Sequence, residues 1–177
     1  AGGEVSDLDR GLVDYFAGQY DVAIQRFDIY IAANPGNDGT PYYYRALAKR
    51  DLNFYDEALQ DFSIFITNYP AHPKWGIAWE EKTDLELYNM SQPSVAAQTL
   101  LDFVQAVPGT DLSREYLMRA ARIYESDGQY DKALEIWARV ANEYPGTLEA
   151  STAVFLSGII YYREGDTLSA RDSFDHS

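Results

Sequence analysis

Few residues in this chain could carry acid, base or nucleophilic chemistry. Histidine occurs only at His72 and His176. His72 lies in Pro70-Ala71-His72-Pro73, whose prolines read as a loop. Asp175-His176-Ser177 has the residue types of a hydrolytic triad. On a helix, however, adjacent residues point in different directions, and a triad is defined by converging geometry. Carboxylates pair at Glu80-Glu81 and at Asp84 with Glu86. Glycoside hydrolysis needs two carboxylates facing each other across a cleft. These share one helical stretch with Lys82 and read as a solvated face. Cysteine is absent, which excludes disulfides, thiol nucleophiles and cysteine-ligated zinc. No calcium loop, zinc-protease helix, phosphate loop or nucleophile elbow occurs. The sequence therefore offers no catalytic residue, no metal ligand and no cofactor site. Asn89-Met90-Ser91 fits a glycosylation triplet, a pattern frequent by chance.

Composition narrows the partners. The 177 residues are 46% hydrophobic, enough to bury a core, and 15% aromatic, so rings must do much of the packing. The formal net charge of −14 argues against nucleic acid and against an anionic membrane surface, both of which need a basic face. A protein or peptide partner fits better. No apolar run approaches the roughly 20 residues of a membrane span. The first residues, Ala1-Gly2-Gly3-Glu4, suit either the remnant of a removed leader or an arbitrary start.

What positions the remaining side chains is a repeat. Ala23, Ala58, Ala96, Ala133 and Ala170 are separated by 35, 38, 37 and 37 residues. Four residues after each stands a large apolar residue: Phe27, Phe62, Leu100, Trp137 and Phe174. Twelve residues after each of the first four stands a proline: Pro35, Pro70, Pro108 and Pro145. Between these markers the sequence reads as helix pairs. Leu117, Ala120, Ala121 and Tyr124 fall at the spacing of one helical face. Asp127-Gly128-Gln129-Tyr130 is a turn in which Gly128 can adopt the left-handed conformation that ends a helix. A second helix carries Ala133, Trp137 and Val140 and stops at Tyr144, because the residue before a proline avoids helix. Other turns fall at Gly18-Gln19-Tyr20, Asn53-Phe54-Tyr55 and Gly165-Asp166.

Leu117-x2-Ala120-Ala121-x2-Tyr124, then Ala133-x3-Trp137 and Pro145, resembles the tetratricopeptide pattern W-x2-L-G-x2-Y, A-x3-F, P. Val154-x2-Ser157-Gly158-x2-Tyr161 followed by Ala170-x3-Phe174 resembles it too. Small residues at Gly11, Ala46, Ala121 and Gly158 would let the paired helices approach, with the large ring filling the space beside them. The resemblance implies an all-α fold: a right-handed α-solenoid of antiparallel helix pairs in a single domain over 1–177. Repeats are expected at about 4–37, 39–72, 73–110 and 114–147, with a partial fifth at 151–177. The third is irregular, since Trp75, Ile77, Trp79, Leu85, Leu87 and Tyr88 miss the pattern and Pro93 replaces the Tyr or Thr of the other turns. A longer, irregular helix is expected there. The fifth ends without a polar capping face, which reads as the N-terminal part of a longer protein.

In such a solenoid the first helix of each pair lines the concave side. Places counted from the small residue select Leu8, Leu12, Tyr15, Phe16, Tyr43, Leu47, Arg50 and Asp51. They also select Met118, Arg122, Glu125, Ser126, Phe155, Ile159, Tyr162 and Arg163. The partner-binding candidates are Tyr43, Leu47, Arg50, Met118, Arg122, Tyr162 and Arg163. Arg50, Arg122 and Arg163 suggest pairing with a carboxylate or an acidic peptide.

Two phrases carry a narrower resemblance. Phe65-Ile66-Thr67-Asn68-Tyr69-Pro70 is similar to outer-membrane assembly lipoproteins. Glu143-Tyr144-Pro145-Gly146-Thr147, with Phe155 through Asp166, resembles the helical region of soluble lytic transglycosylases. These imply an exported or periplasmic bacterial protein, with peptidoglycan-related machinery as partner and a transglycosylase domain beyond residue 177. Otherwise a cytoplasmic location is expected. Two readings stand: a non-catalytic scaffold presenting a groove to a peptide or protein, or the non-catalytic helical region of such an envelope enzyme.

Overall fold

The computed structural model describes residues 5–177. All regular structure among them is helical. The helices are α1 (Asp7–Phe16), α2 (Tyr20–Ala33), α3 (Thr40–Asp51), α4 (Tyr55–Asn68), α5 (Trp75–Asp84), α6 (Pro93–Ala106), α7 (Asp111–Ser126), α8 (Tyr130–Glu143), α9 (Leu148–Arg163) and α10 (Thr167–Asp175). A π-helical turn, Leu85–Asn89, continues α5. The chain divides into two compact units, one running to Met90 and one from Ser91 to Ser177.

Each helix packs on the next within its unit: α1 to α5 in the first, α6 to α10 in the second. The alanines at the repeat marker, Ala23, Ala58, Ala96, Ala133 and Ala170, are all buried. The ring four residues on is fully enclosed at Phe27, Phe62 and Trp137, as is Leu100, whereas Phe174 is 38% exposed. The small–large pairing is directly visible. A β-carbon built on Gly11 would lie 2.7 Å from the Phe27 ring, and one on Gly158 would lie 2.6 Å from the Phe174 ring.

The helix boundaries have local causes. Asn34, Tyr69, Val107 and Tyr144, each preceding a proline, have left helical geometry at ψ of 73°, 52°, 70° and 51°. Ser6, Thr110, Thr147 and Asp166 cap α1, α7, α9 and α10 by accepting a hydrogen bond from an N-terminal amide of the helix. The turn inside each hairpin places one residue at positive φ: Gly18, Asn53, Ser91, Gly128 and Gly165. Each lies five residues before its marker alanine, so the irregular third repeat keeps this turn with serine in glycine's place.

The irregular helix expected in the third repeat is α5 with its π-helical turn; over 75–89 it is no longer than α7 or α9, so the expected extra length is not found. A π turn closes i→i+5 hydrogen bonds and so holds one residue more than an α turn. Counting twelve back from Ala96 reaches Asp84, but the extra residue moves the small position to Thr83, which is fully buried. Thr83 Oγ donates to the Trp79 carbonyl at 2.8 Å, satisfying its hydroxyl inside the packing. The Trp75 indole N–H donates to the Ile66 carbonyl at 2.8 Å and ties α5 to α4.

Candidate functional site

In the first unit, α3 lies between α1 and α5 on the first-helix side. Tyr15 and Phe16 of α1 meet Tyr44 of α3 edge-on, with ring centroids 5.3 and 5.8 Å apart. Arg50 of α3 pairs with Glu81 of α5. Arg50 Nε also donates to Asp51 Oδ1 at 2.9 Å. The guanidinium thus already holds two carboxylates, and its side chain is 27% exposed. From the sequence, Arg50 is expected to pair with a carboxylate of a partner. The structure corrects this, because α5 brings Glu81 within reach. The Lys74 ammonium stands 5.4 Å from the Tyr43 ring and 5.9 Å from that of Tyr44.

Tyr43 and Leu47 are buried, at 4% and 6% exposure, in a cluster with Phe62, Phe65 and Leu85. They support the face from beneath instead of presenting themselves on it. Burial raises the pKa of both Tyr43 and Tyr15, that of Tyr15 to about 12, with Asp51 adding to the rise at Tyr15.

The carboxylates read as a solvated face also stand differently. Glu86 is 1% exposed and pairs with Lys82. Glu81 is half-buried, and this burial raises its pKa against the opposing pull of Arg50. The cause is the π turn, which carries Leu85 and Glu86 into the interior and leaves Tyr88 70% exposed. A cleft of about 380 Å³ opens beside the turn, lined by Arg50, Asp51, Asn53, Glu81, Asp84, Leu85, Tyr88 and Asn89. Tyr55 fixes its rim, donating to Asn53 at 2.6 Å and accepting from Asn89 at 3.4 Å.

In the second unit Met118 is half-buried on α7, and Arg122 is exposed. No ion pair engages Arg122 among the described residues. Tyr162 of α9 is 68% exposed and Phe155 is 47% exposed. Arg163 lies 3.7 Å from Glu125 of α7, and its guanidinium is 6.0 Å from the Tyr130 ring. The three arginines are therefore not equivalent: two sit beside carboxylates and one is open. Each unit brings its own candidates onto adjoining first helices.

The histidines are placed apart from these faces. His72 Nδ1 accepts from the Lys74 amide at 3.0 Å, its Nε2 lies 3.2 Å from Thr40 Oγ, and its ring packs edge-on against Phe65. Burial lowers its pKa. His176 turns toward Asp172, while Asp175 pairs with Arg171, so Asp175-His176-Ser177 does not converge. Among the described residues no cluster of His, Cys, Asp or Glu could hold a metal ion. None of the described helices is long and apolar enough to cross a membrane.

A run of helical hairpins whose first helices carry exposed rings and ion pairs on an open face defines a helical-repeat interaction scaffold. Two family models, each described as a tetratricopeptide repeat, match residues 8–73 and 115–147, together more than half of the chain. The chain belongs to the tetratricopeptide repeat family.

Solved structures agree on the fold. A TPR repeats protein from Bacteroides fragilis NCTC 9343 is 22% identical with a TM-score of 0.65, over 90% of this chain and 71% of that one. MamA from Desulfovibrio magneticus RS-1 is 19% identical with a TM-score of 0.54, over 96% and 90%. YrrB, described as a TPR protein with an unusual peptide-binding site, is 19% identical with a TM-score of 0.54, over 96% and 81%. At these identities the likeness is one of fold. No curated protein matches the chain.

Proposed function

We propose that the chain is a non-catalytic protein–protein interaction scaffold that holds a peptide or protein segment along its first-helix faces. The observation that carries this reading is the placement of exposed rings there: Phe16, 73% exposed and edge-on to Tyr44 of the next first helix, in the first unit, and Tyr162, 68% exposed and next in sequence to the Arg163 that pairs with Glu125, in the second. Aromatic rings offer contact area at low entropic cost, and fixed charges beside them select the partner. Membership of a family of interaction repeats supports the reading, as does the peptide-binding site named for YrrB.

The test is selection of random phage-displayed peptides on the purified chain. Enriched peptides should lose affinity on Phe16→Ala or Tyr162→Ala. They should keep it on Ile29→Ala, which is exposed on the second helix α2. Absence of any enrichment, or binders indifferent to both first-helix changes, overturns the proposal.

A further inference from the structure

The cleft beside the π-helical turn has a polarity opposite to the one its arginine suggests. A partner carboxylate approaching Arg50 would have to displace Asp51 and Glu81, which its guanidinium already holds. It would do so beside a third carboxylate, Asp84, in a chain of net charge −14. Asp51 meets Arg50 through Oδ1 and Glu81 through Oε2. Asp51 Oδ2 and Glu81 Oε1 are engaged by no hydrogen bond or ion pair among the described residues. Arg50 thus acts as a clamp that fixes two acceptor oxygens in a recess. Burial disfavours the charge on Glu81, so a second cation there would be welcome. Tyr88, 70% exposed, adds a ring face at the edge of the recess, and rings attract cations. The turn that sets Tyr88 outward is a π-helical end to α5, an element far rarer than an α turn.

We propose that this cleft receives a lysine or arginine side chain from a basic segment of the partner protein, its cation meeting Asp51 and Glu81 and its aliphatic stem lying against Tyr88. The inference rests on the interaction-scaffold reading and assigns the charge of the segment that the scaffold takes. It draws on charge complementarity in a recess large enough for one long side chain.

The same phage selection supplies the probe, a synthetic copy of the most enriched peptide carrying a fluorophore. The expected result is enrichment in Lys and Arg. Binding to the full chain should weaken about tenfold on replacing the key peptide cation by Glu, and by a similar factor on Asp51→Asn with Glu81→Gln. Tyr88→Ala, at a position 70% exposed, should also weaken binding while helicity by circular dichroism stays unchanged. The peptide charge swap uses the unaltered chain, so the outcome stands even where the double variant fails to fold. Binders enriched in Asp and Glu, or cationic binders indifferent to the Tyr88 and carboxylate variants, overturn the cleft assignment while leaving the scaffold reading intact. Absence of any binder removes both.

Discussion

Single residues decide how closely the hairpins close. Gly11 and Gly158 face rings at under 3 Å from a virtual β-carbon, yet their rings differ in freedom: Phe27 is fully buried and Phe174 partly exposed. Gly11→Ala should therefore destabilise by about 1 kcal/mol, the overpacking cost outweighing the helix propensity gained. Gly158→Ala should be close to neutral, since Phe174 can shift; urea unfolding of the two variants checks the contrast. His72 gives a signed pH dependence. Its folded pKa lies below the ordinary value because burial disfavours the imidazolium more than the Asp38 charge favours it, and the Lys74 charge adds a smaller push in the same direction as burial. The unfolded chain binds the proton first, so stability is complete above pH ~6.5 and falls as pH drops below it. Thr40 and Phe65 face the ring as neutral groups. His72→Gln should flatten that acid slope in thermal melts at pH 5 to 7, and an unchanged slope would place its origin elsewhere. The small–large pairs and proline stops were legible because each depends on one residue type at a fixed spacing. The burial of Tyr43 and Leu47 and the pairing of Arg50 were not, because they depend on which neighbour α5 brings alongside α3.

At the scale of elements, the five hairpin turns show how one backbone requirement is met by different residues. Gly18, Gly128 and Gly165 take positive φ without strain, and Asn53 tolerates it. Ser91, at φ 55°, has neither advantage. Ser91→Gly should stabilise the chain by about 0.5–1 kcal/mol, the relief of left-handed strain exceeding the entropy glycine adds to the unfolded state. A lowered midpoint in urea would show that the serine side chain holds the turn in some other way. Helix ends were readable from Pro and Gly, which act locally, whereas the capping Ser and Thr came only with the structure. The π turn was visible only as missed pattern positions: inserting a residue changes the phase of the side chains without changing their types. That hidden phase is also why the carboxylates near Glu86 looked solvated in the sequence.

For the whole molecule, stacked repeats are stabilised mainly by nearest neighbours, so damage stays near its origin. Trp137 is enclosed in the second unit. Trp137→Ala should cost about 3–5 kcal/mol, the loss typical of emptying a core aromatic site. Amide exchange should accelerate from Ser91 to Ser177 far more than around Phe62 in the first unit. Equal acceleration in both would mean that the chain unfolds as one cooperative body. The repeat architecture followed from five alanines in phase, a signal that survives the irregular third repeat.

The π turn has a consequence for how this chain can change length. Removing one residue from an ordinary α-helix swings everything beyond the gap by about 100° around the axis, usually a ruinous event. Leu85–Asn89 holds one residue more than an α turn would. A single-codon deletion there could relax the segment into plain α-helix, leaving both flanks facing their present neighbours and shortening the 38-residue spacing between Ala58 and Ala96 to that of the next two repeats. Deleting Tyr88 should thus leave a folded, helical protein with its recess reshaped, whereas deleting one residue from the middle of α7 should not. Melting curves of the two deletants would separate them. The segment is then a tolerated site of gain and loss, where recognition can drift while the scaffold around it stays fixed.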